Sequence, residues 1–347
     1  MRHMQPRLLL VLLTVLLIPV LVVALLLGPV SITPSEFIAV LSGEGNPAEV
    51  AQGRLIILDI RAPRVLLAAL VGLCLAVCGT AMQGLFRNPL ADPSLIGVSS
   101  GASAGASVMI VLGAGSLYQF GPLAGLSSVT LGAFVGGFLA VLLVYRLATS
   151  SRGTSVAIML LAGIAITALA GALNSLFSFV ANDEMLRRIS LWQMGALDAA
   201  NWPRVWIAAL ATILLMAILP RHSQALNALL LGESEARHLG VSVDLVKRRL
   251  IVLTALAVGA SVAVAGTIAF IGLIIPHIIR MLIGPDHSYL IPGTALAGAI
   301  LLVIADTVAR VALAPAELPA GILTAMLGTP FFFFLLLQKR RLEDASL

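Results

Sequence analysis

Five histidines (His3, His222, His238, His277, His287), two cysteines (Cys74, Cys78) and two lysines (Lys247, Lys339) are the groups in this 347-residue sequence best suited to metal or covalent chemistry. Their spacing offers little. No His-Glu-x-x-His pair occurs, and the histidines are scattered. Cys74 and Cys78 lie four apart in an apolar run, on one helix face, where geometry disfavours a disulfide and two thiols are too few for a metal site. They read as small packing residues. A phosphate-binding loop needs Gly-Lys-Ser/Thr, and neither lysine follows a glycine, so the chain has no P-loop ATPase of its own. Ser100 and Ser103 stand at a helix start with no histidine nearby in sequence. Catalytic, resident-cofactor and metal roles all lack a constellation.

The elements around these residues explain why. The sequence is 60% hydrophobic and 11% charged, against about 25% charged in a soluble domain. That composition predicts a lipid environment. The net charge of +5 is spread between apolar blocks, which fits membrane loops rather than a nucleic-acid face. Arg2 and Arg7 precede the apolar run Leu8 to Leu27, which is too long for a signal peptide's core and lacks a small-residue cleavage site. We read it as an uncleaved first span.

Apolar windows fall near 8–28, 65–86, 95–113, 122–148, 156–180, 204–219, 291–314 and 318–337. Residues 250–279 carry no Asp, Glu, Lys or Arg. As one helix they would be about 45 Å long, against a hydrocarbon core of about 30 Å. A full span and a short one (about 272–283), broken near Gly266 to Gly272, fit better. Ten spans result, with both termini cytoplasmic by the positive-inside rule. On that reading all five histidines and most Lys and Arg lie inside, leaving seven arginines (54, 61, 64, 187, 188, 204, 310) outside.

The sequence repeats itself. GLCLAVCGTAMQGL (72–85) and GASVAVAGTIAFIGL (259–273) share Gly, six residues, Gly-Thr; SLIGVSSGASAGA (94–106) echoes YLIPGTALAGA (289–299). The offsets are 187 and about 195. Five spans of separation make the halves inverted, a transporter pattern. In NPLADPSLIGVSSGASAG (88–105), Pro89 and Pro93 bar regular helix. Irregular backbone at membrane depth must be buried in protein or line a cavity, so 88–97 is expected to close the inner end of a pathway. The polar stretch 226–249 is expected to form two short helices split at Gly240. Leu226, Leu229, Leu230, Ala236 and Leu239 make an apolar stripe suited to a cytoplasmic partner.

Taken together, RAPRVLLAALVG (61–72), MQGLFRNPLADPSLIGVSSGA (82–102), LGESEARHLGV (231–241), FIGLIIPHIIR (270–280) and ADTVAR with ELPAGILTAMLGTPFF (305–332) resemble the FecCD-type permeases, the membrane subunits of ABC importers for iron-siderophores, haem and vitamin B12. The resemblance covers nearly the whole chain as one permease domain (1–347). It implies an all-α, ten-span type II importer fold in a bacterial inner membrane, a homodimer, two ATPase subunits that hold the ATP, and a periplasmic binding protein. It places a cytoplasmic gate at Asn88 and Leu90, and more loosely at Thr154 and Ser155. ATPase coupling falls on Gly232, Glu233, Ala236, Arg237, Leu239 and Gly240, and binding-protein docking on Arg61, Arg64 and Arg310. An i,i+4 ion pair of Arg310 with Asp306 is compatible with docking.

FSFVANDEMLRRISLWQMGAL (177–197) looks most like haem permeases. It implies a pathway mouth where Met185, Trp192 and Met194 suit a flat apolar cargo and Arg187 and Arg188 attract its propionates. Ferric siderophores and B12 are the alternative cargoes. An ion-coupled secondary transporter would need a buried acid; Asp306 is the one acid within a span window.

Overall fold

A computed structural model describes residues 4–30, 32–44, 46–113, 122–150 and 153–344; Arg2, His3 and Arg152 lie outside them. Among the described residues eight helices are long and apolar enough to cross a bilayer, and two shorter apolar helices, Val98–Gly113 and Ile271–Ile283, complete the ten. The spans are α1 (Pro6–Leu26), α4 (Ala62–Phe86), α5 (Val98–Gly113), α6 (Pro122–Ala148), α7 (Val156–Val180), α9 (Trp202–Ile218), α12 (Val243–Ala265), α13 (Ile271–Ile283), α14 (His287–Ala312) and α15 (Ala320–Asp344).

The long apolar stretch breaks where helix length requires. α12 ends at Ala265, and Gly266 and Phe270, both at positive φ, turn the chain into α13. At 13 residues, about 20 Å, α13 is too short to span alone. The break is covered by protein: a Cβ on Gly266 would collide with the Trp192 carbonyl, and one on Gly328 of α15 with the Phe270 ring. Pro276 inside α13 withholds the N–H that the Gly272 carbonyl would otherwise accept. Gln83 of α4 supplies the donor, its Nε2 reaching the carbonyls of Gly272 (3.3 Å) and Leu273 (3.2 Å).

α4, α12 and α14 form the centre. The apolar window of α4 is 78% buried and that of α1 11%, which sets core helix against lipid-facing helix. Close approach is made by glycine. Gly72 meets Gly298, Gly79 meets Gly272, and Gly101 and Gly105 of α5 meet Gly136 and Gly132 of α6, each so closely that a Cβ would overlap backbone. Such small-residue contacts replace the hydrophobic drive that lipid removes. Cys74 and Cys78 are buried free thiols in α4, Cys74 Sγ reaching the Ala257 carbonyl at 3.4 Å.

Three parts depart from expectation. The chain before α4 forms α2 (Pro34–Ser42) and α3 (Pro47–Arg54), then a π-helical stretch, Leu55–Arg61, that runs into α4. Thr33 and Glu36 make a capping box and Asn46 caps α3, so the signals were present in the sequence. The polar stretch 226–249 breaks at Gly240 (φ 83°), between α11 (Glu233–His238) and α12, and also at Gly232 (φ 124°), between α10 (Ser223–Leu231) and α11. Residues 243–249 are the start of the long helix α12 rather than a short helix of their own. The echo of 94–106 in 289–299 joins the third span to the ninth, an even offset that keeps orientation. It is not part of the inverted repeat, whereas the 72–85 and 259–273 pair joins the second span to the seventh.

Replacing Gly79 by Val should lower the stability of the purified protein by about 1–3 kcal/mol or more, because the obstruction is backbone and cannot rotate away. Thermal unfolding in detergent reads this; an unchanged midpoint contradicts the close α4–α13 contact.

Candidate functional sites

Three places in this fold gather the groups singled out from the sequence. The first is a buried charge cluster at the C-terminal ends of α1 and α14 and the N-terminal end of α4. Arg64 grips Asp306 through Nε (3.1 Å to each carboxylate oxygen) and Nη2 (3.0 Å), and its Nη1 reaches Glu317 at 2.6 Å. Arg310 pairs with Asp306 at 3.2 Å and donates to the Ala24 carbonyl at 3.1 Å. Arg61 donates to the carbonyls of Leu25 (2.8 Å) and Leu26 (2.6 Å), oxygens that α1 leaves unpaired at its C-terminus, and to that of Val30 in the segment that follows. Side chains expected on an outer docking face are therefore buried in this chain, at 4% (Arg61), 7% (Arg64) and 3% (Arg310) exposure. The i,i+4 pair of Arg310 with Asp306 is present. Sequence reasoning missed that Arg64, 242 positions away, shares the same carboxylate. Asp306 thus faces two guanidiniums and is not a free acid for ion cycling.

The second is the turn after α4. Arg87 takes a left-handed conformation and ends the helix. The Asn88 side chain accepts from Leu90 N (3.0 Å), and Asp92 caps the 3-10 turn Pro93–Ile96 by accepting from Ser94 N (2.8 Å). The turn reaches inward: a Cβ on Gly163 would collide with the Leu95 carbonyl, about 10 Å along α7 from its start. The Asp92 carboxylate lies beside Gly272, and burial raises its pKa above the ordinary carboxylate value against the lowering bonds from Ser94. Asn88 is exposed and Leu90 half-buried. Gly97-Val98-Ser99-Ser100-Gly101 has the Gly-x-Ser-x-Gly spacing of a nucleophile elbow, with Ser99 at its centre. It leads from a 3-10 turn rather than from a strand, and the neighbouring Ser100, outside the motif's serine position, donates its Oγ hydrogen to Thr167 Oγ1 at 3.1 Å.

The third is the pair of short helices α10 and α11 with a small hairpin. The hairpin pairs Thr149 with Thr154 and Ser150 with Gly153 between α6 and α7. Thr154 is buried, and Ser155 caps α7, its Oγ accepting from Ile158 N at 3.4 Å. Leu226, Leu229 and Ala236 are fully buried, whereas Leu230, Leu231 and Leu239 are exposed, at 40%, 68% and 65%. Three of the five residues of the expected stripe thus pack α10 and α11 onto the bundle, and Leu230 and Leu239 stay open, joined by Leu231 from outside the stripe. Asn227 pins α10 to the start of α14, donating to Asp286 (2.7 Å) and accepting from His287 N (2.9 Å). Glu233 pairs with Lys247 at 2.6 Å and Arg237 with Asp244 at 3.3 Å. Gly232 and Gly240 supply the turns.

Beyond the C-terminal end of α7, α8 (Asp183–Gln193) follows as a separate helix, capped by Asn182. A cavity of about 340 Å³ is lined by Arg188, Leu191, Trp192, Asp198, Arg204 and Gly266 among others. Two of the expected pathway residues, Trp192 and Arg188, line it; Met185, Arg187 and Met194 do not. Arg188 pairs with Glu184 at 2.5 Å. Arg204, which the pathway reading passed over, joins the lining and donates to the Val264 carbonyl at 3.3 Å. Among the described residues no three His, Cys, Asp or Glu converge as a metal site.

The model of the FecCD transport family matches residues 14–338. The chain belongs to that family. It is 49% identical over 284 residues to the hemin transport system permease protein of Yersinia pestis, covering 82% of this chain and 83% of that one. It is 43% identical over 291 residues to the vitamin B12 import system permease protein of Salmonella typhi, covering 84% and 86%. A solved structure described as an inward-facing, metal-chelate-type ABC transporter superposes with a TM-score of 0.81 at 34% identity, covering 95% of this chain and 98% of that one. The protein is thus a multi-pass permease of an all-helical importer fold.

Asp306→Asn should cost about 3–5 kcal/mol, because it leaves buried guanidiniums without their charge partner. A thermal midpoint within experimental error of the parent's would contradict the cluster.

Proposed function

We propose that this permease carries haem inward across a bacterial inner membrane as part of an ATP-driven importer. Two copies enclose the pathway, two cytoplasmic ATPase subunits hydrolyse ATP, a binding protein delivers cargo from outside, and both termini face the cytoplasm. The observation that carries the cargo is the 49% identity to a hemin permease across more than four-fifths of both chains. The cavity lined by Trp192, Arg188 and Arg204 supports it, since a flat apolar ring with carboxylates needs an apolar wall and nearby cations. Vitamin B12 is the second reading, on the 43% relative.

In this account α10 and α11 receive the ATPase through exposed Leu230, Leu231 and Leu239. The turn at Asn88 and Leu90 and the hairpin end at Thr154 and Ser155 form the inner gate. Docking at Arg61, Arg64 and Arg310 requires acidic groups of the binding protein to compete with internal partners. The most accessible of these is Glu317, whose side chain is 34% exposed. Glu317→Gln should therefore tighten association of the loaded binding protein by about 2–10-fold at low salt, an effect lost at high salt. Equal affinity for parent and variant removes Arg64 from the docking surface.

The cargo is tested by uptake into proteoliposomes holding the permease, its ATPase and a binding protein. ATP-dependent entry of haem, without entry of ferric siderophore or cobalamin, is expected. Entry of cobalamin or siderophore without haem overturns the cargo, and entry independent of ATP overturns the importer itself.

A further inference from the structure

The first turns of α12 carry two opposed charges on one face, Asp244 and Lys247. α11 carries two more, Glu233 and Arg237. They pair with reversed polarity, Glu233 to Lys247 and Arg237 to Asp244. The Arg237–Asp244 pair already clasps short α11 to the start of α12, so holding these helices together does not by itself account for the burial of Lys247. Its side chain is 3% exposed, and beyond Glu233 its ammonium donates to a backbone acceptor, the Thr154 carbonyl, at 3.2 Å. That carbonyl ends the hairpin, and the next residue, Ser155, caps α7. The hairpin rests on the same α12 turn at a second point: Gly153 (φ 104°) lies so close to Asp244 that a Cβ would stand 2.7 Å from its Oδ1.

We infer that Lys247 is the positioning residue that transmits movement of α11 to the start of α7. One buried ammonium holds a carboxylate on the helix facing the ATPase and a carbonyl at the inner gate. A buried charge holds its partners strongly, because it has no water to fall back on. A shift of Glu233 must then either drag the hairpin end with it or leave the ammonium short of an acceptor. The inference rests on the coupling role proposed for α11 and adds the route from that helix to the gate.

The test compares three variants in the reconstituted importer, reading ATP hydrolysis stimulated by loaded binding protein and cargo moved per ATP. Lys247→Met keeps the apolar stem and removes both bonds. Cargo per ATP should fall at least about tenfold while hydrolysis falls far less. Lys247→Arg keeps both bonds and should stay within about threefold of the parent. The double swap Glu233→Lys with Lys247→Glu restores the ion pair but sets a carboxylate against the Thr154 carbonyl, two acceptors with no shared proton. It should transport no better than Lys247→Met. Rescue by the double swap, or parental cargo per ATP in Lys247→Met, would show that Lys247 merely pins α11 to α12 and would overturn the inference. Should Lys247→Met fail to assemble, Lys247→Arg against the double swap carries the same comparison. The underlying coupling role fails separately: if Leu239→Asp leaves binding of the ATPase intact, α11 is not its contact, whatever Lys247 does.

Discussion

In hydrocarbon no water will take a backbone N–H or C=O that the protein leaves unpaired, and this single constraint organises the molecule. It makes nearly every spanning segment a helix. It also dictates what surrounds each place where helix fails. α1 ends with free carbonyls, and Arg61 and Arg310 reach them. Pro276 denies the Gly272 carbonyl its N–H, and Gln83 crosses from α4 to replace it. The turn after α4 and the break after α12 sit against other helices rather than against lipid.

The same constraint separates the two ends functionally. The outer end is a closed charge cluster that staples α1, α4 and α14. Its arginines form strong internal bonds, which makes any docking there an exchange of partners. The opposite end is built differently: a hairpin, a turn and two short helices held by paired charges and by buried Leu226, Leu229 and Ala236, with three leucines left open.

Much of this was legible in the sequence for physical reasons. Span count followed from helix rise against bilayer thickness. The break near Gly266 followed from a charge-free run too long for one helix, and the Arg310–Asp306 pair from helical spacing. Less legible were contacts between distant segments. Nothing local to Arg64 says that it shares Asp306, and nothing near Thr154 says that its carbonyl faces Lys247. The second break, at Gly232, was less legible than that at Gly240, because Gly232 lies inside an otherwise helical apolar pattern and its turn depends on how α10 packs. α2 and α3 carried readable caps but little periodic pattern, so the eye passes over them.

The central claim is that irregular backbone lies inside the bundle, with the 88–97 turn opening to the cytoplasm and the 266–270 break sealed within. It is tested most directly by labelling single cysteines with an impermeant maleimide in oriented vesicles, after Cys74→Ala and Cys78→Ala. Asn88→Cys should react from the cytoplasmic face alone, and Ile268→Cys, at a site 7% exposed, from neither face. Reaction of Asn88→Cys from the outer face, or fast reaction of Ile268→Cys from either, would contradict the account.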